Sequence, residues 1–92
     1  MSWSCSIRFV MESGAPLGNH TVAIFFSGLM GGYVKDATDE DGWVQFEEEN
    51  RDGPQSVEAI YFTFLLASIT VDEDITIDDG DTLSYTIPDE EF

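Results

Sequence analysis

Basic residues are almost missing from this chain: Lys and Arg together number three against 19 acids in 92 residues, a formal net charge of −16. That balance leaves no basic stripe with interleaved aromatics for nucleic acid, and it repels anionic membranes and acidic partners. A partner matched to such a surface is basic or cationic. Cysteine occurs once, as Cys5, which excludes an intramolecular disulfide and fits a reducing compartment. Long apolar runs are missing too. The stretch from Ala59 to Ala67 is interrupted by Thr63 and reaches about half of the ~20 residues that a spanning helix needs. Met1 to Ser6 carries no cationic segment leading into a signal-length apolar stretch, so the expectation is a soluble, cytoplasmic protein. Neither a glycine-rich phosphate loop nor a zinc-ligand spacing occurs.

What remains is rich in core material. The chain is 42% hydrophobic and 13% aromatic, which predicts a packed interior despite the charge. Its length suits one domain, taken as residues 1–88 and followed by an acidic tail, residues 89–92.

The hydrophobic period is two nearly throughout. Cys5, Ile7, Phe9 and Met11 alternate with Ser6, Arg8, Val10 and Glu12, as in a strand with one face on a core. Gly14 and Pro16 end it. His20 to Ser27 is rich in β-branched and aromatic residues and stops at Gly28, and Tyr33 to Ala37 is a short strand leading into an acidic turn at Asp39 to Gly42. Trp43 to Glu47 alternates again, with Val44 and Phe46 on one face and Trp43 and Gln45 on the other. Val57 to Leu66 is apolar on both parities, which predicts a central strand or one with a covered outer face. Ile69 to Val71, Ile75 to Ile77 and Leu83 to Ile87 are three further short strands, the last two joined by Asp78-Asp79-Gly80-Asp81. Such spacing predicts an all-β fold, an antiparallel Greek-key β-sandwich of about seven or eight strands. Its expected core includes Ile7, Phe9, Val22, Ile24, Val44, Phe46, Ile60, Phe62 and Tyr85.

Gly14-x-Pro16-Leu17, the apolar strand from Val22, and Thr38-Asp39-x-Asp41-Gly42-x-Val44-x-Phe46 resemble the opening half of transthyretin-like or carboxypeptidase-regulatory-like domains. The resemblance covers about half of the chain and implies a β-sandwich of the transthyretin-like/immunoglobulin-like kind, with a turn at the Gly-Pro pair and a tight hairpin at the Asp-Gly step. The two cysteines around a tryptophan that mark a true immunoglobulin domain are missing. The transthyretin-related hydrolases need several histidines, an arginine and a C-terminal Tyr-Arg-Gly-Ser. Here His20 is the one histidine and the chain ends Pro88-Asp89-Glu90-Glu91-Phe92. Intradiol dioxygenase-like sandwiches hold iron with two tyrosines and two histidines, which this chain also lacks. No catalytic residue and no cofactor is therefore assigned, and the expectation is a protein that is not an enzyme.

Calcium is the one metal to weigh. Asp36, Asp39 and Asp41 supply hard oxygens close in sequence, but the acids that complete an EF-hand loop do not follow, and a solvated turn in which Asp caps its own backbone is the preferred reading over a specific calcium site. The acidity itself has three explanations: adaptation to high salt, a docking surface for a basic protein that includes mimicry of nucleic-acid phosphate, or a device that keeps a small apolar-rich sandwich soluble. The supply of large apolar side chains exceeds what one sandwich core needs. Trp3, Trp43, Leu29 and Met30 belong to that excess, and Phe25, Phe26, Ile60, Phe62, Phe64 and Leu66 are the expected interaction residues. The expected function is a protein-protein interaction or assembly module, with a partner protein or a second copy as counterpart and no role for nucleic acid or membrane. An acidic inhibitor that mimics nucleic acid and a weakly calcium-binding adhesion module are the alternatives.

Overall fold

The alternation of β1 (Trp3–Met11) puts Trp3, Cys5, Ile7 and Phe9 on one buried face and Ser4, Ser6, Arg8 and Val10 on the other. The computed structural model describes residues 2–29, 31–64 and 67–88. Within them six further strands follow: β2 (Thr21–Phe26), β3 (Tyr33–Ala37), β4 (Trp43–Glu48), β5 (Gln55–Thr63), β6 (Ser68–Ile77) and β7 (Asp81–Ile87). They form two sheets, ordered β4-β1-β7 and β3-β2-β5-β6, whose apolar faces meet as an all-β sandwich. The acidic tail, residues 89–92, lies outside the described residues.

Eight of the nine expected core residues are fully enclosed: Ile7, Phe9, Val22, Ile24, Val44, Phe46, Ile60 and Phe62. Tyr85 lies half-buried at the margin, stacked on Phe9 at 5.7 Å, where its hydroxyl donates to Asp72 Oδ2 at 2.8 Å and so ties β7 to β6 of the opposite sheet. Trp3 belongs to the core and not to the apolar excess. It is fully buried, packs edge-on against Phe26 at 5.5 Å and donates its indole N–H to the Ile77 carbonyl at 3.0 Å. A buried indole needs such an acceptor.

Three expectations about connection are corrected. The segments Ile69–Val71 and Ile75–Ile77 are parts of one strand, β6, which pairs with β5 along its length; the register shifts at Val71, between the pairs Tyr61–Thr70 and Ile60–Asp72, and Asp74 farther along has φ +53°. A bulge, unlike a turn, interrupts alternation without ending the ladder. The sheets are not wholly antiparallel either, because β1 and β7 pair in parallel with Ile7 opposite Leu83 and Phe9 opposite Tyr85. Alternation reports which face is buried and is blind to strand direction. Finally, Asp39 to Gly42 makes no hairpin between paired strands: β3 and β4 lie in different sheets, and the turn carries the chain across.

That crossing accounts for the motifs Gly14-x-Pro16-Leu17 and Thr38-Asp39-x-Asp41-Gly42. Leu17 and Thr38 meet at one corner, where the Thr38 hydroxyl donates to the Leu17 carbonyl at 2.6 Å and accepts the His20 N–H at 3.1 Å. Phe9 N–H donates to the Gly42 carbonyl at 2.8 Å, and Leu17 N–H to the Phe9 carbonyl at 3.0 Å. Both motifs lock backbone to backbone at the end of β1, so their chemistry is used up in the fold.

Candidate functional site

Parity distributes the apolar side chains of the four-stranded sheet over two faces. Ile24, Ile60 and Phe62 point inward, and the residues of opposite parity point out: Thr21, Ala23 and Phe25 on β2 stand opposite Ala37, Lys35 and Tyr33 on β3. On the other flank Thr63, Tyr61 and Ala59 of β5 stand opposite the same three β2 residues. Directly opposed residues on neighbouring strands share a face and touch. Phe25 therefore stacks on Tyr33, with centroids 5.1 Å apart and planes 20° from parallel, and meets Tyr61 edge-on at 5.3 Å.

These rings border a shallow hollow of about 750 Å³ lined by Thr21, Ala23, Phe25, Tyr33, Lys35, Tyr61, Thr63 and Ser68. No lining residue is acidic, although about one residue in five of the chain is. Lys35 is the chain's sole lysine and, among the described residues, has no ion-pair partner. Tyr33 is 56% exposed, so the aromatic surface is open to a partner.

Of the expected interaction residues, Phe25 alone lies in this hollow. Phe26 is buried under the Arg51 guanidinium, whose carbon sits 3.5 Å from the ring centroid and which also donates to the Gly31 carbonyl. Ile60 and Phe62 are fully enclosed. These three serve the core and are not available on the surface of the chain. Phe64 is partly buried, packed edge-on against Phe62 at 5.2 Å and His20 at 6.2 Å. Leu66 and Met30 lie outside the described residues. Leu29 is exposed in the β2–β3 connection, and Trp43 is half-exposed on the outer face of the three-stranded sheet, where the Arg8 guanidinium lies 6.0 Å from its ring. Tyr33, Tyr61 and Lys35 complete the site. Their signal in the sequence is parity, because Phe25 and Tyr61 alternate with the core residues Ile24 and Ile60.

The calcium candidates do not converge. Asp39 Oδ1 accepts the N–H groups of Asp41 and Trp43 at 2.9 and 3.0 Å, and Asp36 Oδ1 accepts the N–H of Ala37 at 2.8 Å. Among the described residues no group of three or more His, Cys, Asp or Glu is placed to hold a metal ion. His20 Nδ1 is 3.3 Å from the Thr63 carbonyl, and its ring packs on Phe62 at 5.0 Å. Cys5 is enclosed, and burial, helped by the negative charge of Asp81, pushes its thiol up to about 12. Nucleophilic chemistry requires thiolate, which this environment suppresses. Among the described residues no helix is long and apolar enough to cross a membrane.

The class defined by these observations is a seven-stranded, two-sheet β-sandwich with an open aromatic face. Several solved structures resemble this chain in fold, among them the following two. One is a variant of BcpA, the major pilin subunit of Bacillus cereus, at a TM-score of 0.53 and 10% identity, the match covering 91% of this chain and 29% of that one. The other is a 9R-lipoxygenase from Cyanothece, at a TM-score of 0.54 and 13% identity, covering 94% of this chain and 16% of that one. The chain thus spans less than a third of either protein, and at such identities the likeness is one of fold. No protein-family model matches the sequence, and no curated protein matches it.

Proposed function

We propose that the chain is a non-enzymatic interaction module on a transthyretin-like sandwich, docking a protein partner through the outer face of its four-stranded sheet. The hollow bordered by Phe25, Tyr33 and Tyr61 carries this reading: three aromatic side chains gather on an open face, around the one lysine, and no residue that lines the hollow is acidic. Tyrosine and phenylalanine are favoured at interface centres because a rigid ring buries much area at little entropic cost, and the tyrosine hydroxyl keeps a polar contact. The rest of the surface, at net −16, steers the approach of a basic partner and discourages nucleic acid and anionic membranes.

Parallel affinity capture with the wild-type domain and a Tyr33→Ser/Tyr61→Ser double variant tests the reading, once circular dichroism has shown both to be folded. A partner retained by the wild type and lost by the double variant supports it. Equal retention by both removes the aromatic face as the docking site.

A further inference from the structure

Four strands lie at sheet edges, and an edge presents unpaired backbone N–H and C=O groups to any extended chain that approaches. Three of the four edges carry charge. β3 has Lys35 and Asp36, β4 has Glu47 and Glu48, and β6 has Asp72, Glu73 and Asp74 together with a bulge and a left-handed residue. Charges and bulges of this kind block edge-to-edge pairing.

β7 has neither device. From Thr82 to Ile87 it carries no charge, no proline and no glycine, and among the described residues it pairs with β1 alone. Its single acid, Asp81, is at the first position, where Oδ2 accepts the Asp78 N–H at 2.8 Å. On its inner face Leu83 and Tyr85 are only half-buried against the core. On its outer face Thr82, Ser84 and Thr86 are exposed hydroxyls.

From this contrast we infer that β7 is the interface for a second copy of the chain, pairing antiparallel with the partner's β7 to make one continuous six-stranded sheet. A two-fold axis makes the contact self-complementary. Centred on Ser84, the pairing sets Ser84 opposite Ser84, Thr82 opposite Thr86, and Leu83 opposite Tyr85, so each half-buried apolar residue is covered by the other. The side chains of the strand itself favour a second copy over a basic segment, because hydroxyl meets hydroxyl and Leu83 meets Tyr85, against the mutual repulsion of two chains of net charge −16. Between Thr82 and Ile87 there is no carboxylate to recognise a cation. In the paired form the two Asp81 residues lie at opposite ends of the junction, on the order of 20 Å apart. That exceeds the screening length of about 8 Å at physiological ionic strength. This interface is separate from the aromatic hollow, which lies on the other sheet.

Sedimentation equilibrium of the intact chain, at low and at 0.5 M salt (about), with Ser84→Lys and Ser13→Lys variants, is the test. A wild-type dimer that tightens with salt is expected, because screening reduces the repulsion between two copies of net charge −16. Ser84→Lys opposes like charges across the axis and should weaken the dimer about fivefold or more, although it lowers the net charge. Ser13→Lys makes the same change of charge in an exposed turn and should leave the dimer intact. Amide exchange on the wild type gives a second measure, with alternate β7 amides protected only at high protein concentration. A monomer at millimolar concentration and high salt overturns the inference. So does equal weakening by both lysines, or a dimer lost in Tyr33→Ser/Tyr61→Ser and kept in Ser84→Lys, an outcome that would place self-association on the aromatic face.

Discussion

Phe25 and Phe26 are neighbours in sequence and opposites in structure: one ring lies on an open face against Tyr33 and Tyr61, the other in the core against Trp3 and under Arg51. Removing the Phe26 ring empties a site with 4% exposure, and Phe26→Ala should cost about 3 to 5 kcal/mol. Phe25→Ala should cost about 1 kcal/mol, since its ring contributes mainly surface contact. Urea denaturation of the two variants measures the difference directly. Two ionisable residues on the inner face set the alkaline limit. Burial, with Asp81 nearby, pushes Cys5 up from 9.0 to about 12; burial and the hydrogen bond to Asp72, with its charge, raise Tyr85 above its ordinary 10.0. Both groups are held neutral in the folded chain, so on unfolding they release protons at lower pH than they do when folded. Their contribution to stability is complete below pH 9 and falls as pH rises from about 9 through the folded values. The denaturation midpoint should be level from pH 7 to about 8.5 and decline above it, and in Cys5→Ala the onset should move to about pH 10.

At the scale of elements, the corner at the end of β1 holds the two sheets in register. Gly42 and Gly80 share a φ of +84°, but their surroundings differ: a Cβ on Gly42 would run into the Phe9 carbonyl, and one on Gly80 would meet nothing within 4 Å. An alanine at either position takes on a left-handed strain of about 1 to 2 kcal/mol. Gly42→Ala must in addition push the Asp39–Gly42 turn off β1 and break the Phe9 N–H to Gly42 carbonyl bond. Thermal denaturation should therefore show Gly42→Ala clearly less stable than Gly80→Ala. Equal losses would mean that the corner yields freely.

Over the whole molecule, charge opposes compaction. Nineteen acids against three bases on a domain with a Cα radius of gyration of 12.9 Å repel one another through solvent. Added salt screens these distances within about 8 to 10 Å, so the melting temperature should climb as sodium chloride is raised from low to moderate concentration. A flat or falling profile would show that specific ion pairs outweigh the net repulsion. The same titration distinguishes the contacts of the chain: a complex with a basic partner should weaken steeply with salt, whereas the β7 pairing should strengthen.

Strand alternation by itself determined which side chains enter the core. Residues at i and i+2 share a face whatever lies beside the strand, so Ile7, Phe9, Val22, Ile24, Val44, Phe46, Ile60 and Phe62 could be read directly as interior. Composition likewise determined the acidic surface. Pairing was decided only in three dimensions: period two carries no information on direction or neighbour, and so the parallel β1–β7 ladder, the unbroken β6 and the crossing of sheets at Asp39 were illegible. Trp3 looked like spare aromatic surface because the carbonyl that satisfies its indole, that of Ile77, is 74 positions away. The aromatic hollow has the same origin. Phe25, Tyr33 and Tyr61 become one surface only because cross-strand register sets three separate strands side by side, and register is a property of the assembled sheet.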